Sequence, residues 1–172
     1  VPFEDVNGDA LTFLPLGHTA TFQDDIGQGG FAVLNRILPS TNNNVVEMNG
    51  AVISQLQVGS GQFESGGDLA FYSPTGLLIG SSATFDVGSL MLTALEPDIA
   101  QYPGFIAGTQ GLNFSDSTIG LARVEIAPGS LITASPEGSY LTVVAPEILM
   151  DGTANINGAS AFIGARQVTV GH

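Results

Sequence analysis

The sequence contains no cysteine and no lysine, and only three arginines stand against 16 acidic residues. Without cysteine there is no disulfide framework and no thiol chemistry. The absence is compatible with export through a narrow pore, where a premature disulfide would block transit. The shortage of cations leaves a net charge of -13. Nothing in the chain neutralises phosphates, so nucleic acid is excluded as a partner, as is an anionic membrane surface. Charged residues of both signs make up only 11% of the chain, well below the ~25% of an average domain. The surface must therefore be built from Ser, Thr, Asn, Gln and Gly. No apolar run approaches the roughly 20 residues that span a bilayer as a helix, so an integral membrane protein is not expected. No signal peptide is present; Val1-Pro2 reads as a mature terminus left by cleavage or as an artificial boundary. Helix signals are weak throughout, because 23 glycines interrupt almost every window long enough for a helix.

What is present is a series of short β-prone runs. A length of 172 residues with 44% hydrophobic residues supports one domain with a real core. The organising stretch is 71–94, FYSPTGLLIGSSATFDVGSLMLTA. It reads as four short strands separated by a Pro-Gly turn and two Gly-Ser turns. Strands this short need neighbours above or below them.

Residues 1–30 contain Phe3 and Leu11–Leu16 on either side of an Asn7-Gly8 turn, a hairpin signal, followed by a strand at Thr19–Phe22. Asp5, Asn7 and Asp9 alternate as in a calcium loop. However, Ala10 stands where such a loop requires glycine, and Leu16 where it requires glutamate, so a solvated turn is the better reading. Residues 31–60 supply Phe31–Leu38, ended by Pro39, then Val45–Met48 and Ala51–Val58. Residues 61–70 read as a polar glycine-rich turn leading into the organising stretch. Residues 95–120 are irregular and read as an excursion, with Tyr102, Phe105 and Phe114 packing it onto the body. Residues 121–170 return as five units of about ten residues, with Val124, Ile126, Leu131-Ile132, Leu141–Val143, Ile148, Ile156, Phe162-Ile163, Val168 and Val170 facing inward. Two units make a repeat of about 20 residues, the size of one β-helix turn. An antiparallel sandwich is the competing solution, but adjacent apolar residues and recurring turn grammar favour the solenoid.

As an ordered set, VLNRILP, VVEMNGAVIS, LAFYSPTGLLIGSSATFDVGSLMLTA and the later SYLTVVAPEILMDGTANINGASAFIGARQVTV resemble the N-terminal secretion domain of filamentous-haemagglutinin-type adhesins, the exported partners of two-partner secretion systems. Ser73-Pro74-Thr75-Gly76 stands at that family's Asn-Pro-Asn-Gly turn with both asparagines replaced, and Asn35-Arg36 at its Leu-Asn-Arg strand. The resemblance covers roughly residues 31–170. It implies an all-β fold, a right-handed parallel β-helix with N-terminal capping strands and a small irregular excursion. It divides the single domain 1–172 into a cap (1–30), first coils (31–94), the excursion (95–120) and regular coils (121–172), at the head of a longer exoprotein. It further implies a secretion-signal and folding-nucleation role in a surface-exposed or secreted adhesin of a Gram-negative-type bacterium. Its partner during export is an outer-membrane transporter with POTRA domains, and downstream regions meet a host-cell or cell-surface receptor. Ser73, Pro74, Thr75, Gly76, Asn35 and Arg36 are then transporter-recognition residues or, for Ser73–Gly76, a structural turn.

The alternative from a different class is a self-assembling extracellular filament module. An enzyme, such as a β-helix polysaccharide lyase or hydrolase, is not expected. Such chemistry needs paired carboxylates or a metal with a basic residue; here the carboxylates are scattered, Asp24-Asp25 are the only adjacent aspartates, and His18 and His172 have no recognisable partners. Arg36, Arg123 and Arg166 are expected to snorkel or to pair with nearby carboxylates. No cofactor and no metal is expected.

Overall fold

The computed structural model describes residues 11–24, 30–39, 44–118 and 122–170. The chain is mostly strand, and most of its strand pairs are parallel. The Asn7-Gly8 hairpin and the Asp5, Asn7, Asp9 loop lie outside the described residues.

The strands fall into three rows. The first stacks β1 (Leu11–Leu14), β4 (Val46–Met48), β8 (Leu77–Ile79), β13 (Arg123–Ile126) and β15 (Glu147–Met150), all parallel. The second stacks β2 (Thr19–Asp24), β5 (Ala51–Gly59), β9 (Thr84–Val87) and the first part of β14 (Leu131–Ala145). The third stacks β3 (Ala32–Arg36), β7 (Asp68–Tyr72), β10 (Ser89–Thr93) and the last part of β14. Finally β16 (Thr153–Gly164) lies along the whole of β14, with a register break between Ala134 and Ser139 where β14 bends. Because β14 belongs to both the second and third rows, these form one sheet folded back on itself.

Parallel stacking places like residues over like. Leu11, Val46, Leu77, Val124 and Ile148 form one column, and Val33, Leu69, Leu90 and Leu141 another. From the second layer to the fourth these side chains are fully buried, in a core shared by all three rows. The aromatic rings of Phe22, Phe71 and Phe85 meet edge-to-face inside it. The spacing is about 20 residues where layers follow directly: Leu69 pairs with Leu90 and Leu141 with Ser160. It stretches to 31 between Val46 and Leu77, because an extra strand, β6 (Gln62–Ser65), folds back antiparallel on β5 within that pass. The glycine-rich segment 61–70 is thus partly a hairpin arm and not only a turn.

The third row is buried on both faces. Its outer residues Ala70, Met91 and Val144 are covered by α1 (Tyr102–Ile106) and by an antiparallel sheet of β11 (Glu96–Pro97), β12 (Leu112–Ser115) and β17 (Val168–Val170). Tyr102, Phe105 and Phe114 pack there, as their apolar character requires. This double coverage is why Leu90–Leu92 reads as a continuous apolar run and Leu141–Val144 as one broken only by the buried Thr142. The five-residue α1 is a correction to the helix-free reading; Pro103 sits in its first turn, where its missing N–H costs nothing. Two further expectations fail. Leu131 and Phe162 are 37% and 45% exposed, because Leu131 begins the outward face of β14 and Phe162 lies on the last layer, with no strand above it among the described residues.

Candidate functional site

The residues singled out in the sequence converge on one corner, where the second layer passes into the third. Arg36 pairs in register with Tyr72, the residue before Ser73. The arginine lies over the Tyr72 ring, 5.7 Å from its centre, and forms an ion pair with Glu96. The Tyr72 hydroxyl bonds Ser117 Oγ at 2.7 Å. Burial raises the Tyr72 pKa above its ordinary value. Asn35, in register with Phe71, donates its side-chain amide to the Ala70 carbonyl at 3.2 Å.

Ser73–Gly76 forms the turn itself. Pro74 presets its backbone and Gly76 supplies a φ of +96°. The Gly76 N–H donates to the Ser73 carbonyl at 3.1 Å. The hydroxyls of Ser73 and Thr75 bond one another at 2.9 Å, satisfying two buried polar groups that would otherwise destabilise the corner. The turn is held from both sides: the Val46 N–H of the preceding layer donates to the Gly76 carbonyl, and the backbone of Arg123, one layer on, sits where a Gly76 side chain would project. Ser73 is fully buried and Thr75 nearly so. In the folded chain these residues therefore present nothing to a partner, and what they supply is geometry.

A second polar column crosses the third row. Asp68 and Ser89 begin β7 and β10 and stand in register, and Tyr140, within β14, donates its N–H to Ser89 Oγ at 3.3 Å. Burial raises the Asp68 pKa above its ordinary value of 3.8, and the Ser89 hydroxyl partly offsets this. Burial also raises the neighbouring Tyr102 and Tyr140 hydroxyls, with the Asp68 charge adding to it. A carboxylate whose folded pKa is raised binds more protons folded than unfolded. Its contribution to stability therefore falls as pH rises from about 4 through the raised folded value. Asp68→Asn is expected to remove that decline, seen as a flatter dependence of urea midpoint on pH in this window. A variant whose curve parallels the parent's would contradict the assignment.

The remaining charges are engaged locally. Arg123 pairs with Glu125 at 2.7 Å and Arg166 with Asp116 at 2.9 Å, so all three arginines have carboxylate partners. Hydrogen bonds from Thr118, followed by that from Arg166, hold the exposed Asp116 carboxyl down at about 2. Among the described residues no three His, Asp or Glu side chains cluster as metal ligands, and no helix is long and apolar enough to cross a membrane.

The chain matches no protein-family model, no curated protein and no solved structure. Its functional reading therefore rests on its own residues and geometry.

One concave site escaped sequence reasoning. A cleft of about 540 Å³ lies over the outer face of the β11–β12–β17 sheet. Its lining comes from residues 96–100, 113–115 and 167–169. These segments are distant in sequence and joined only by antiparallel pairing, so no local motif announces the site.

Proposed function

We propose that this chain is a secretion-signal and folding-nucleation domain of an adhesin exported by a two-partner route, and that its stacked rows are turns of a right-handed parallel β-helix. The supporting sequence feature is the ordered resemblance over residues 31–170, centred on Ser73–Leu90. The observation that carries the reading is the edge of the last layer. Along Thr153–Gly164 the strand β16 pairs with β14 on one side and with no described strand on the other. This edge has no charged residue and no proline, the usual devices that prevent edge pairing. Ile148, Met150, Ala154 and Ile156 are only half-buried, whereas Val124, Ile126, Ile132 and Ala134 one layer below are fully buried. A further parallel layer would complete their burial and would find its backbone partners already in place. The domain thus acts as a template on which downstream chain folds after export, at the surface of a Gram-negative-type cell.

In this reading the transporter meets the unfolded chain, before Ser73–Gly76 is buried, and Asn35-Arg36 and the turn are read through its POTRA domains. The test is genetic and biochemical. An outer-membrane transporter gene is expected beside this one, and deleting residues 71–94 is expected to abolish export through that transporter. Lack of such a gene, or undiminished secretion of the deletion, overturns the proposal.

The same edge supports a second reading, a self-assembling filament module in which another copy supplies the next layer. Concentration-dependent fibres are then expected by electron microscopy, and a strictly monomeric protein at high concentration argues against it.

A further inference from the structure

The cleft over the side sheet has a defined construction. Strand alternation places Glu96 beside Ser115 and Asn113 beside Thr169 on the outer face, while Leu112 and Phe114 are buried on the inner one. Several of its polar side chains are fixed by the protein on one atom and left with a second atom that has no described partner. Glu96 Oε1 is held by Arg36. Asp98 Oδ1 accepts the Ala100 N–H at 3.0 Å. Asn113 Oδ1 accepts the Thr169 hydroxyl at 2.6 Å, which leaves its amide N–H groups to donate. Side chains fixed in this way lose little freedom on binding. At the rim, Ile99 is 51% exposed and offers an apolar surface beside these groups.

We propose that this cleft binds a short neutral oligosaccharide. The volume lies within the ~300–1,000 Å³ of small-molecule sites. The lining mixes acceptors (Glu96, Asp98) with donors (Asn113) and the hydroxyl of Ser115, which does both. Sugar hydroxyls also donate and accept, so neighbouring ring hydroxyls engage both sets at once. Ile99 covers the C–H face of a ring. An anionic ligand is disfavoured by Asp98 and by the net charge of -13. A basic peptide needs only acceptors, and Arg36 already neutralises Glu96, so the donors would have no use. The inference is independent of the export reading and stands or falls without it.

The test is a titration of the isotope-labelled full chain, followed by amide chemical shifts, with cellobiose, maltose, lactose and chitobiose as probes and triarginine as the cationic comparison. At least one disaccharide is expected to give saturable shifts confined to residues 96–100, 113–115 and 167–169. Asn113→Ala and Ser115→Ala, both at exposed positions, are expected to keep the spectrum of a folded protein. Each is expected to weaken binding about tenfold, the effect of losing one hydrogen bond. Gln55→Ala, on β5, leaves it unchanged. No saturable shift in the cleft with any disaccharide, binding of triarginine alone, or affinity indifferent to both cleft variants overturns the proposal.

Discussion

Gly76→Ala is expected to destabilise the fold by about 2–5 kcal/mol. Two effects add. An L-residue at a φ of +96° carries a strain of about 1–2 kcal/mol. The new methyl also points into the Arg123 backbone of the next layer, and such overpacking costs about 1–3 kcal/mol. Neither effect relaxes easily, because the obstructing atoms are main chain of Arg123, which is paired with Glu147 of β15 at the start of a strand held between β8 and β15. Gly17 provides the internal control. Its φ is +80°, yet nothing stands within 4 Å of where its side chain would be. Gly17→Ala should therefore show only the backbone strain. Urea denaturation of the two variants separates the terms. Equal losses would mean that the stacking of the turn beneath Arg123 adds nothing.

Phe71→Ala is expected to cost at the upper end of the ~3–5 kcal/mol typical of buried phenylalanine truncations. The ring is 2% exposed. Its centre lies 6.4 Å from that of the Phe22 ring and 6.2 Å from that of the Phe85 ring, and it stands nearly perpendicular to both. Such pairs add about 0.5–1.5 kcal/mol each beyond area burial. More important is where the three rings come from: Phe22 lies on β2, Phe71 on β7 and Phe85 on β9, so the ladder ties three successive layers together across the core. A domain stable by roughly 5–15 kcal/mol loses a large part of its margin. Phe71→Leu should recover about half of the loss, since leucine refills much of the space but restores neither edge-to-face contact. An alanine variant within 1 kcal/mol of the parent, a bound well below the ~3–5 kcal/mol range, would show that the interior collapses around the missing ring.

The strands of 71–94 were legible because each is bracketed by Pro-Gly or Gly-Ser and carries a compact apolar unit. The same grammar identified 121–170 as repetitive. What the sequence did not disclose follows from long-range pairing. The antiparallel arm β6 is polar and glycine-flanked, so it resembles a turn until β5 is beside it. Leu131 and Phe162 carry the residue type of core positions but occupy an outward face and a terminal layer. The corner at Ser73 was visible as a turn. Its tie to Arg36 was visible only as two separate motifs, since 35 residues separate Arg36 from its stacking partner Tyr72. Glu96, which completes that corner and also lines the cleft, lies in a stretch with no regular pattern at all.

The side sheet also has a temporal meaning. Its middle strand is β12, yet one of its two edges is β17, more than 50 residues later. A chain that emerges from its N-terminus can lay down its parallel layers in order, each on the one before. β12 meanwhile waits, with Phe114 and Leu112 ready on one face and half of its backbone unpaired. Only when residues 168–170 arrive does β17 close the sheet and seal the flank of the third row. The structure thus contains a clasp that shuts after the layers it flanks, and its closure marks the moment at which the chain through β16 has been delivered.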